Sequence, residues 1–324
     1  MMVRTNRICA IALLASVLVM AISGTAMAAS SLTRVFASSA DAADALVVAA
    51  AADDQGQAVL SVLGADDMDW IFSGDPVHDR KVRDRFIEAF LEKHTISMQS
   101  ADQAVLLIGH DDFPFPFPIV RSAAGWSFAP ELGKEEVLNR RIGKNELEAI
   151  QVLLAVVDAQ REYASVARDG SALRQYAPRF HSSPGKRDGL YWPASDGEQD
   201  SPLGPLVAEA ARAGYTGRQQ NGSEGASYKG YIYRLLTGQG PNASGGAYNY
   251  RVDGKMIGGF AVVASPSRYG VTGIKSFIVN HDGVLYESDL GPGTARRFGA
   301  MRVFDPDRRW QRVDEAHTAP AEQP

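Results

Sequence analysis

Cysteine is nearly absent from this sequence. The single cysteine, Cys9, lies in an N-terminal segment that we expect to be removed. A chain without thiols forms no disulfide, uses no cysteine nucleophile, and binds neither iron–sulfur clusters nor cysteine-ligated zinc. We therefore expect the fold to be held by its hydrophobic core, which a chain of 324 residues is long enough to supply.

A basic excess is also missing, because 33 Lys and Arg stand against 38 Asp and Glu and give a net charge of −5. Nucleic-acid binding usually needs a basic face, so we expect no nucleic-acid partner. With 45% hydrophobic and 22% charged residues, the composition is that of a folded globular protein. This composition excludes a disordered, collagenous or multi-span membrane protein.

The N-terminus is typical of a signal peptide. Arg4 and Arg7 supply a positive region, Ile8–Met20 an apolar run, and Ala26–Ala28 a small-x-small cleavage site. An uncleaved membrane anchor would need about 20 apolar residues, which is more than this run contains. We therefore expect residues 1–28 to be removed, export to the periplasm or the cell exterior, and no stable membrane span in the mature chain.

The composition changes sharply in the middle of the chain. All eleven tyrosines lie at Tyr163 or later, whereas eight of the thirteen phenylalanines precede it. A shift of this kind predicts two folding units. The predicted division is an N-terminal α+β domain over residues 32–142, a C-terminal α+β domain over residues 146–306 and a polar, disordered tail over residues 307–324.

The first unit shows helix patterns followed by strand patterns. Asp41 can cap a helix over Ala42–Ala51, a short helix is predicted over Gln55–Leu63, and Asp75 followed by proline favours the start of a third. Strands are predicted over Thr95–Met98, Ala104–Ile108, Pro118–Arg121 and Gly125–Phe128. Helices on one face of a curved antiparallel sheet resemble the architecture of nuclear-transport-factor-2 and cystatin-like proteins, which host enzymes and binders alike.

The second unit opens with the strongest helix pattern in the chain. Leu147, Ile150, Leu154 and Val157 recur at helical spacing and predict a long helix from Glu146 to about Val166. A shorter helix is predicted over Leu203–Ala213. Strands are predicted over Tyr231–Leu236, Tyr248–Val252, Met256–Ala264, Gly273–Asn280 and Val284–Glu287. We expect an antiparallel sheet packed on the long helix.

Several strings resemble a bacterial family of exported proteins known as domain of unknown function 2950. The strings are Ser73–Val77, Asp112–Pro116, Leu138–Gly143, Asp158–Tyr163, Ser183–Pro193 and Ser201–Leu206. They extend across both predicted units. The resemblance implies an exported protein, and it carries over no activity and no catalytic residue.

A second resemblance is confined to Gly258–Leu290. The matching strings are Gly259–Phe260, Ala264–Pro266, Gly270–Gly273, Phe277–Val279 and Asp282–Val284, and they are similar to the sheet of type IV pilin-like globular domains. That likeness implies a long helix packed on an antiparallel sheet. No prepilin leader precedes the helix, so we expect a pilin-like fold without assembly into a pilus.

Motifs that carry chemistry are scarce. The sequence contains no HExxH, GxSxG or P-loop motif. His110 with Asp111 and Asp112 supplies metal-ligand types, but neighbouring strand residues point to opposite faces and favour a solvated strand end. His181 lies beside Ser182, yet Ser–His catalysis normally joins separate segments. We therefore predict no catalytic residue, no metal site and no cofactor.

One basic and aromatic constellation remains as a candidate binding site. It consists of Arg140, Arg141, Lys186, Arg187, Tyr191 and Trp192. Guanidinium groups bind carboxylates or phosphates, and flat aromatic rings stack on sugars or cations. We expect these residues to converge where the two units meet and to receive an anionic envelope ligand. The alternative is that they are structural, with the arginines paired to acids and Trp192 buried as packing.

The sequence thus predicts an exported cell-envelope protein that acts as a non-catalytic binding or assembly module. Its expected partner is an anionic envelope ligand or another envelope protein. The competing hypothesis is an envelope hydrolase acting on glycan or peptide. A titratable group with a strongly shifted pKa in a cleft would favour the hydrolase, whereas a basic or apolar groove without one would favour the binder.

Overall fold

A computed structural model of the chain describes residues 34–52, 54–65, 70–168, 172–194, 199–212 and 227–314. The predicted signal peptide and the last ten residues lie outside the described residues. The described part contains six helices and fourteen strands, and all strand pairs in its sheets are antiparallel. The α+β class predicted from the sequence is confirmed.

The first half of the described chain is a helical layer on a small sheet. The elements are α1 (Ser39–Ala51), α2 (Gln57–Leu63), α3 (Pro76–Glu92), β1 (His94–Ser100), β2 (Gln103–Ile108), β3 (Phe113–Pro114), β4 (Ile119–Ser122) and β5 (Gly125–Phe128). The sheet runs β1-β2-β4-β5, with β3 also paired to β2. Alternate residues of β2, namely Ala104, Leu106 and Ile108, are buried under the helices.

Local capping explains where two of these helices begin. Ser38, not Asp41, caps α1, because its Oγ accepts the backbone N–H of Asp41 at 3.0 Å. The predicted start of α3 is confirmed, since Asp75 Oδ1 accepts the N–H groups of Val77 and His78, each at 3.1 Å. Both caps satisfy N–H groups that have no partner within the helix.

Helix α4 (Pro130–Ser165) is much longer than the sequence predicted. Its expected start was Glu146, but the helix begins sixteen residues earlier and runs through the predicted boundary between the units. The early turns are held by tertiary packing, because Val137 and Leu138 lie against the N-terminal core. Later turns contribute Ile150 to a second, separate core. The division into two domains stays a prediction, with α4 shared between two cores.

The second half of the described chain is built on a five-stranded sheet. Its elements are α5 (Gly204–Arg212), β6 (Tyr231–Leu236), β7 (Gly238–Gln239), β8 (Tyr248–Asn249), β9 (Arg251–Val252), β10 (Lys255–Met256), β11 (Ala261–Pro266), β12 (Lys275–Asn280), β13 (Leu285–Asp289), α6 (Thr294–Ala300) and β14 (Gln311–Arg312). The strand order is β14-β13-β12-β11-β6, and β7–β8 and β9–β10 form two small ribbons. Helix α4 packs on β11 and β12, as the sequence predicted.

The predicted disordered tail begins too early. Strand β14 pairs with β13, and Trp310 and Val313 are buried in the C-terminal core. The residues around Trp310 are polar and do not alternate in hydrophobicity, so the sequence did not predict this edge strand. Residues 307–314 therefore belong to the fold, and residues 315–324 lie outside the described residues. Within the described part, no helix has an apolar stretch long enough to cross a bilayer.

Candidate anion-binding site

Trp192 is the centre of the C-terminal group of predicted site residues. It is 4% exposed, and its indole Nε1 donates to the backbone oxygen of Gln199 at 3.1 Å. The guanidinium carbon of Arg187 lies 5.5 Å from the centre of the Trp192 ring, within the range of a cation–π contact. Tyr191 is half-buried and Lys186 is exposed. Arg187 and Trp192 are thus the pair that the structure brings into contact.

Arg140 belongs to a different part of the surface. Its Nε donates to Glu136 Oε1 at 2.5 Å, one helical turn earlier. The guanidinium carbon lies 4.5 Å from the exposed ring of Phe113, and Nη1 reaches the carbonyl of Pro114 at 3.4 Å. Because the ion pair and the ring are both exposed, these contacts contribute little to stability.

Arg141 donates its hydrogen bonds to backbone carbonyl groups. Its Nη1 and Nη2 donate to the carbonyls of Trp70 and Ile71 at 2.7 and 2.5 Å. Arg268, from the turn after β11, donates to the next carbonyl, that of Phe72, at 3.2 Å. Three successive carbonyls of one loop therefore accept hydrogen bonds from two arginines in different parts of the chain. We call Arg141 and Arg268 the arginine clamp.

The structure does not bring the six predicted residues together. Tyr163 Oη donates to the backbone oxygen of Arg187 at 2.7 Å, so the C-terminal group lies at the end of α4. Arg141 lies about six turns earlier on the same helix, which is about 33 Å at 1.5 Å per residue. The predicted cluster is therefore two separate groups, and Arg141 fits the structural interpretation. The acids expected to pair with it are replaced by backbone carbonyls.

Arg168, which the sequence analysis did not single out, completes the C-terminal group. It is 8% exposed, and its guanidinium carbon lies 4.8 Å from the Tyr163 ring and 5.2 Å from the Trp192 ring. Its Nε donates to the Tyr163 carbonyl over a long 3.4 Å, and its buried Nη2 has no hydrogen-bond partner. We call Arg168, Arg187, Tyr163 and Trp192 the two-arginine site.

The charge of Arg168 is incompletely compensated. No carboxylate among the described residues forms an ion pair with it. Burying an unpaired ion costs several kcal/mol, whereas a desolvated cation–π contact returns about 2 kcal/mol. A second guanidinium, that of Arg187, contacts the same indole ring. The buried guanidinium of Arg168 therefore carries its positive charge in a setting where water screens it poorly.

The loop from Phe180 to Trp192, which we call the site loop, carries Arg187 and is organised by Asp188. The Asp188 carboxylate accepts the N–H of Ser183 at 2.7 Å and its Oγ–H at 2.9 Å, and Arg179 lies 3.7 Å away. Burial raises the pKa of Asp188, but these hydrogen bonds and the Arg179 charge outweigh it, so the pKa is lowered. Asp188 is therefore held within the loop, where it fixes the backbone beside Arg187.

The hydroxyls of Ser182 and Ser183 form hydrogen bonds within the site loop and not with His181. The Ser182 hydroxyl accepts the N–H of Gly189 at 3.0 Å, and the Ser183 hydroxyl donates to Asp188. The His181 ring instead makes an edge-to-face contact with Tyr191, with the ring centres 5.5 Å apart. Both serine hydroxyls therefore form hydrogen bonds within the loop.

The predicted solvated strand end around His110 is organised by local ion pairs. His110 Nε2 lies 2.9 Å from Glu92, and Lys93 lies 2.7 Å from Asp112, with all four side chains exposed. In the part of the chain that the structure describes, no group of three or more His, Cys, Asp or Glu side chains is placed to hold a metal ion.

A groove of about 510 Å³ between α4 and β12–β14 is a competing candidate. It has an apolar floor that includes Ile150 and Phe277 and a charged rim. The rim is already engaged, because Glu146 Oε1 accepts the N–H groups of Ile274 and Lys275 at 2.9 Å. Lys275 in turn pairs with Glu287 at 3.0 Å. The groove therefore offers less unsatisfied charge than the two-arginine site.

One signal in the sequence could have identified Arg168. It follows the end of the long helix by three residues, and a cation there can bond the last carbonyls of the helix and complement its dipole. That position explains its bond to the Tyr163 carbonyl. The sequence does not show that Trp192, 24 residues later, lies against the same guanidinium.

Comparison with known proteins gives one match. Residues 33–313 match the family described as protein of unknown function (DUF2950). No curated protein and no solved structure matches the chain. The matched region includes every element of the fold and the whole two-arginine site. The chain therefore belongs to the DUF2950 family, as the strings in its sequence indicated.

Proposed function

We propose that this protein is exported to the cell envelope and binds an anionic ligand at the two-arginine site without transforming it. The observation that carries the proposal is Arg168, a buried guanidinium with one long hydrogen bond and no described ionic partner. An anion that reached it would gain charge-assisted hydrogen bonds of about 1.5–3 kcal/mol each.

The second arginine supports the same interpretation. Arg187 contacts the Trp192 ring from 5.5 Å, so the two guanidinium groups share one aromatic neighbour. The ring is fixed by burial and by its bond to Gln199, which limits the entropy lost when a ligand binds. The buried guanidinium of Arg168 beside a rigid indole is therefore preorganised to bind a negatively charged group, and Arg187 contacts the same ring.

The burial of the site sets the size of that group. Arg168 keeps 8% of its surface and Trp192 keeps 4%, so a broad face of a polymer cannot lie against both. A carboxylate, phosphate or sulfate group that projects from a larger molecule fits this description. The export part of the proposal rests on the N-terminal segment, whose charge, apolar run and small-residue site have the pattern of a cleavable signal.

The test compares the thermal stability of the purified mature protein in different anions at constant ionic strength. Acetate, phosphate and sulfate are the probes, and chloride is the reference. Because a ligand that binds the folded state stabilises it, at least one probe should raise Tm above the value in chloride. The variant Arg168→Met should lose that response, and the matched surface variant Arg140→Met should keep it.

The same variant reports on the state of the site without a ligand. If Arg168 has no ionic partner, replacing it by methionine should leave Tm in chloride unchanged or raise it, because an unpaired buried charge is removed. A large fall in Tm would mean that the guanidinium is paired within the chain. That fall, together with equal Tm values in all anions, would overturn the proposal.

A further inference from the structure

His181 lies next to Tyr191, where the two ends of the site loop meet, and its ring makes no hydrogen bond within the described chain. Both of its ring nitrogens are out of contact with solvent and lack a hydrogen-bond partner among the described residues. Its ring touches the edge of Tyr191. Gly189 covers its backbone so closely that an added Cβ would lie 2.6 Å from the His181 carbonyl carbon. The two ring nitrogens are therefore buried without a hydrogen-bond partner among the described residues, although the residue as a whole is partly exposed.

The hydrogen bonds beside this ring hold the loop together. The N–H of Ser182 donates to the Tyr191 carbonyl at 2.8 Å, and the N–H of Tyr191 donates to the Phe180 carbonyl at 2.8 Å. The N–H of Leu190 donates to the Arg179 carbonyl at 3.1 Å. These bonds join the two ends of the loop immediately before Trp192, so the closure positions the aromatic centre of the two-arginine site.

We infer that His181 makes the two-arginine site sensitive to pH, because a proton on its imidazole opens the base of the site loop. Opening would release Arg187 and Trp192 from their present positions and lower the affinity for an anion. The effect on affinity rests on the proposed function, whereas the opening of the loop does not.

The electrostatics give the direction of the effect. Burial lowers the pKa of His181 below its usual 6.5, and no described charged group contributes to the shift. Tyr191 is the titratable side chain in contact with the ring, and Asp188 on the same loop is engaged by Ser183 and Arg179. The closed loop therefore favours the neutral imidazole. Its contribution to stability is fully present above pH 6.5 and is lost as the pH falls toward the lowered value.

Hydrogen exchange of the full mature protein tests the opening without any ligand. The amides of Ser182, Leu190 and Tyr191 are followed between pH 8 and pH 5, with intrinsic exchange rates corrected for pH. An open state with a histidine pKa near 6.5 would gain up to about 30-fold in population at pH 5. His181→Phe should abolish this change, as should the smaller, neutral His181→Asn. His110→Asn, at an exposed histidine, should leave it intact.

The ligand arm is read separately. Whichever of acetate, phosphate or sulfate stabilises the protein at pH 7.5 is titrated again at pH 5.5. Its affinity should fall more in the parent than in His181→Phe, because protonation of the anion itself affects both proteins equally. Protection of the three amides that does not change with pH, or that changes equally in His181→Phe, would overturn the inference. Loop opening without any anion binding would instead overturn the proposed function.

Discussion

Two glycines in helix α4 should respond to alanine with opposite signs. Both glycines lie within the helix. Gly133 precedes Val137 and Leu138, which pack on the N-terminal core, and Gly143 follows them. A Cβ at Gly143 would meet no atom within 4 Å. A Cβ at Gly133 would lie 2.1 Å from the carbonyl oxygen of Pro116 and 2.8 Å from the ring of Phe117. The two sites therefore differ in space but share their backbone conformation.

The magnitudes follow from that difference. Gly143→Ala removes the helix penalty of glycine, which is about 0.8–1 kcal/mol. For a chain of about 300 residues, with an unfolding entropy of about 2.1 cal/mol/K per residue, that gain corresponds to a rise in Tm of about 1–2 °C. Gly133→Ala receives the same gain but must move a backbone oxygen by about 1 Å, and overpacking of this kind costs about 1–3 kcal/mol or more. The net effect should be a loss of up to about 2 kcal/mol, which corresponds to a fall in Tm of up to about 3 °C.

Thermal melts followed by circular dichroism, with urea titrations as a second measure, decide the matter. The Gly143 variant is the more informative of the two, because this residue lies where the sequence predicted a break between units. Stabilisation there requires that the helix be continuous. A neutral or destabilising Gly143→Ala would refute a helix that spans both cores, and a neutral Gly133→Ala would refute the close packing against Pro116.

Three further predictions follow from other contacts. Arg141→Ala leaves two carbonyls without donors and should lower the free energy of unfolding by about 3 kcal/mol. Arg140→Ala should lower it by about 1 kcal/mol or less. Equal urea midpoints for the two variants would contradict the arginine clamp. Asp188→Asn should reduce the rise in Tm that the stabilising anion produces, while Tm in chloride changes by only a few degrees. An unchanged rise would show that the carboxylate does not position Arg187. Mass analysis of envelope-fraction protein should give Ala29 as the first residue, and an intact, membrane-held chain would contradict export.

Much of the fold could be predicted because its strands are short apolar and aromatic segments bounded by turn residues. Strand β6 has the predicted bounds, Tyr231–Leu236, and the start of α3 follows from Asp75 and the proline after it. These signals are local, so the sequence contains them in full. Strand β14 is different, because two exposed polar residues form it and its position is set by pairing with β13.

The early turns of α4 show why local patterns were insufficient. Gly133 and Gly143 lower the helix propensity, and Arg140 and Arg141 resemble a polar linker. The helix persists because Val137 and Leu138 are packed on the N-terminal core and Arg141 is bound by a distant loop. Tertiary contacts therefore override propensity over these residues.

The structure brings some of the predicted site residues into contact and separates others. Arg187 and Trp192 do meet, and both could be found from their proximity in the sequence. The position of Arg168 just after α4 is a local signal, but its contact with Trp192, and that of Tyr163 with Arg187, depend on where the site loop returns to the end of α4. Arg141 was included for its chemistry alone, and the chemistry of a guanidinium fits backbone carbonyls as well as it fits an anion.

The shared helix also constrains the order in which the chain can fold. The first turns of α4 pack on residues that all precede them, so this part of the core can close as soon as the helix exists. The later face, with Ile150 and Leu153, packs on strands such as β6 and β12 that come far later in the chain. Contacts of such long sequence separation form slowly. We therefore expect an early intermediate in which the N-terminal core is formed and an apolar stripe of α4 is exposed. In this state the protein would be most prone to aggregate and most in need of a chaperone.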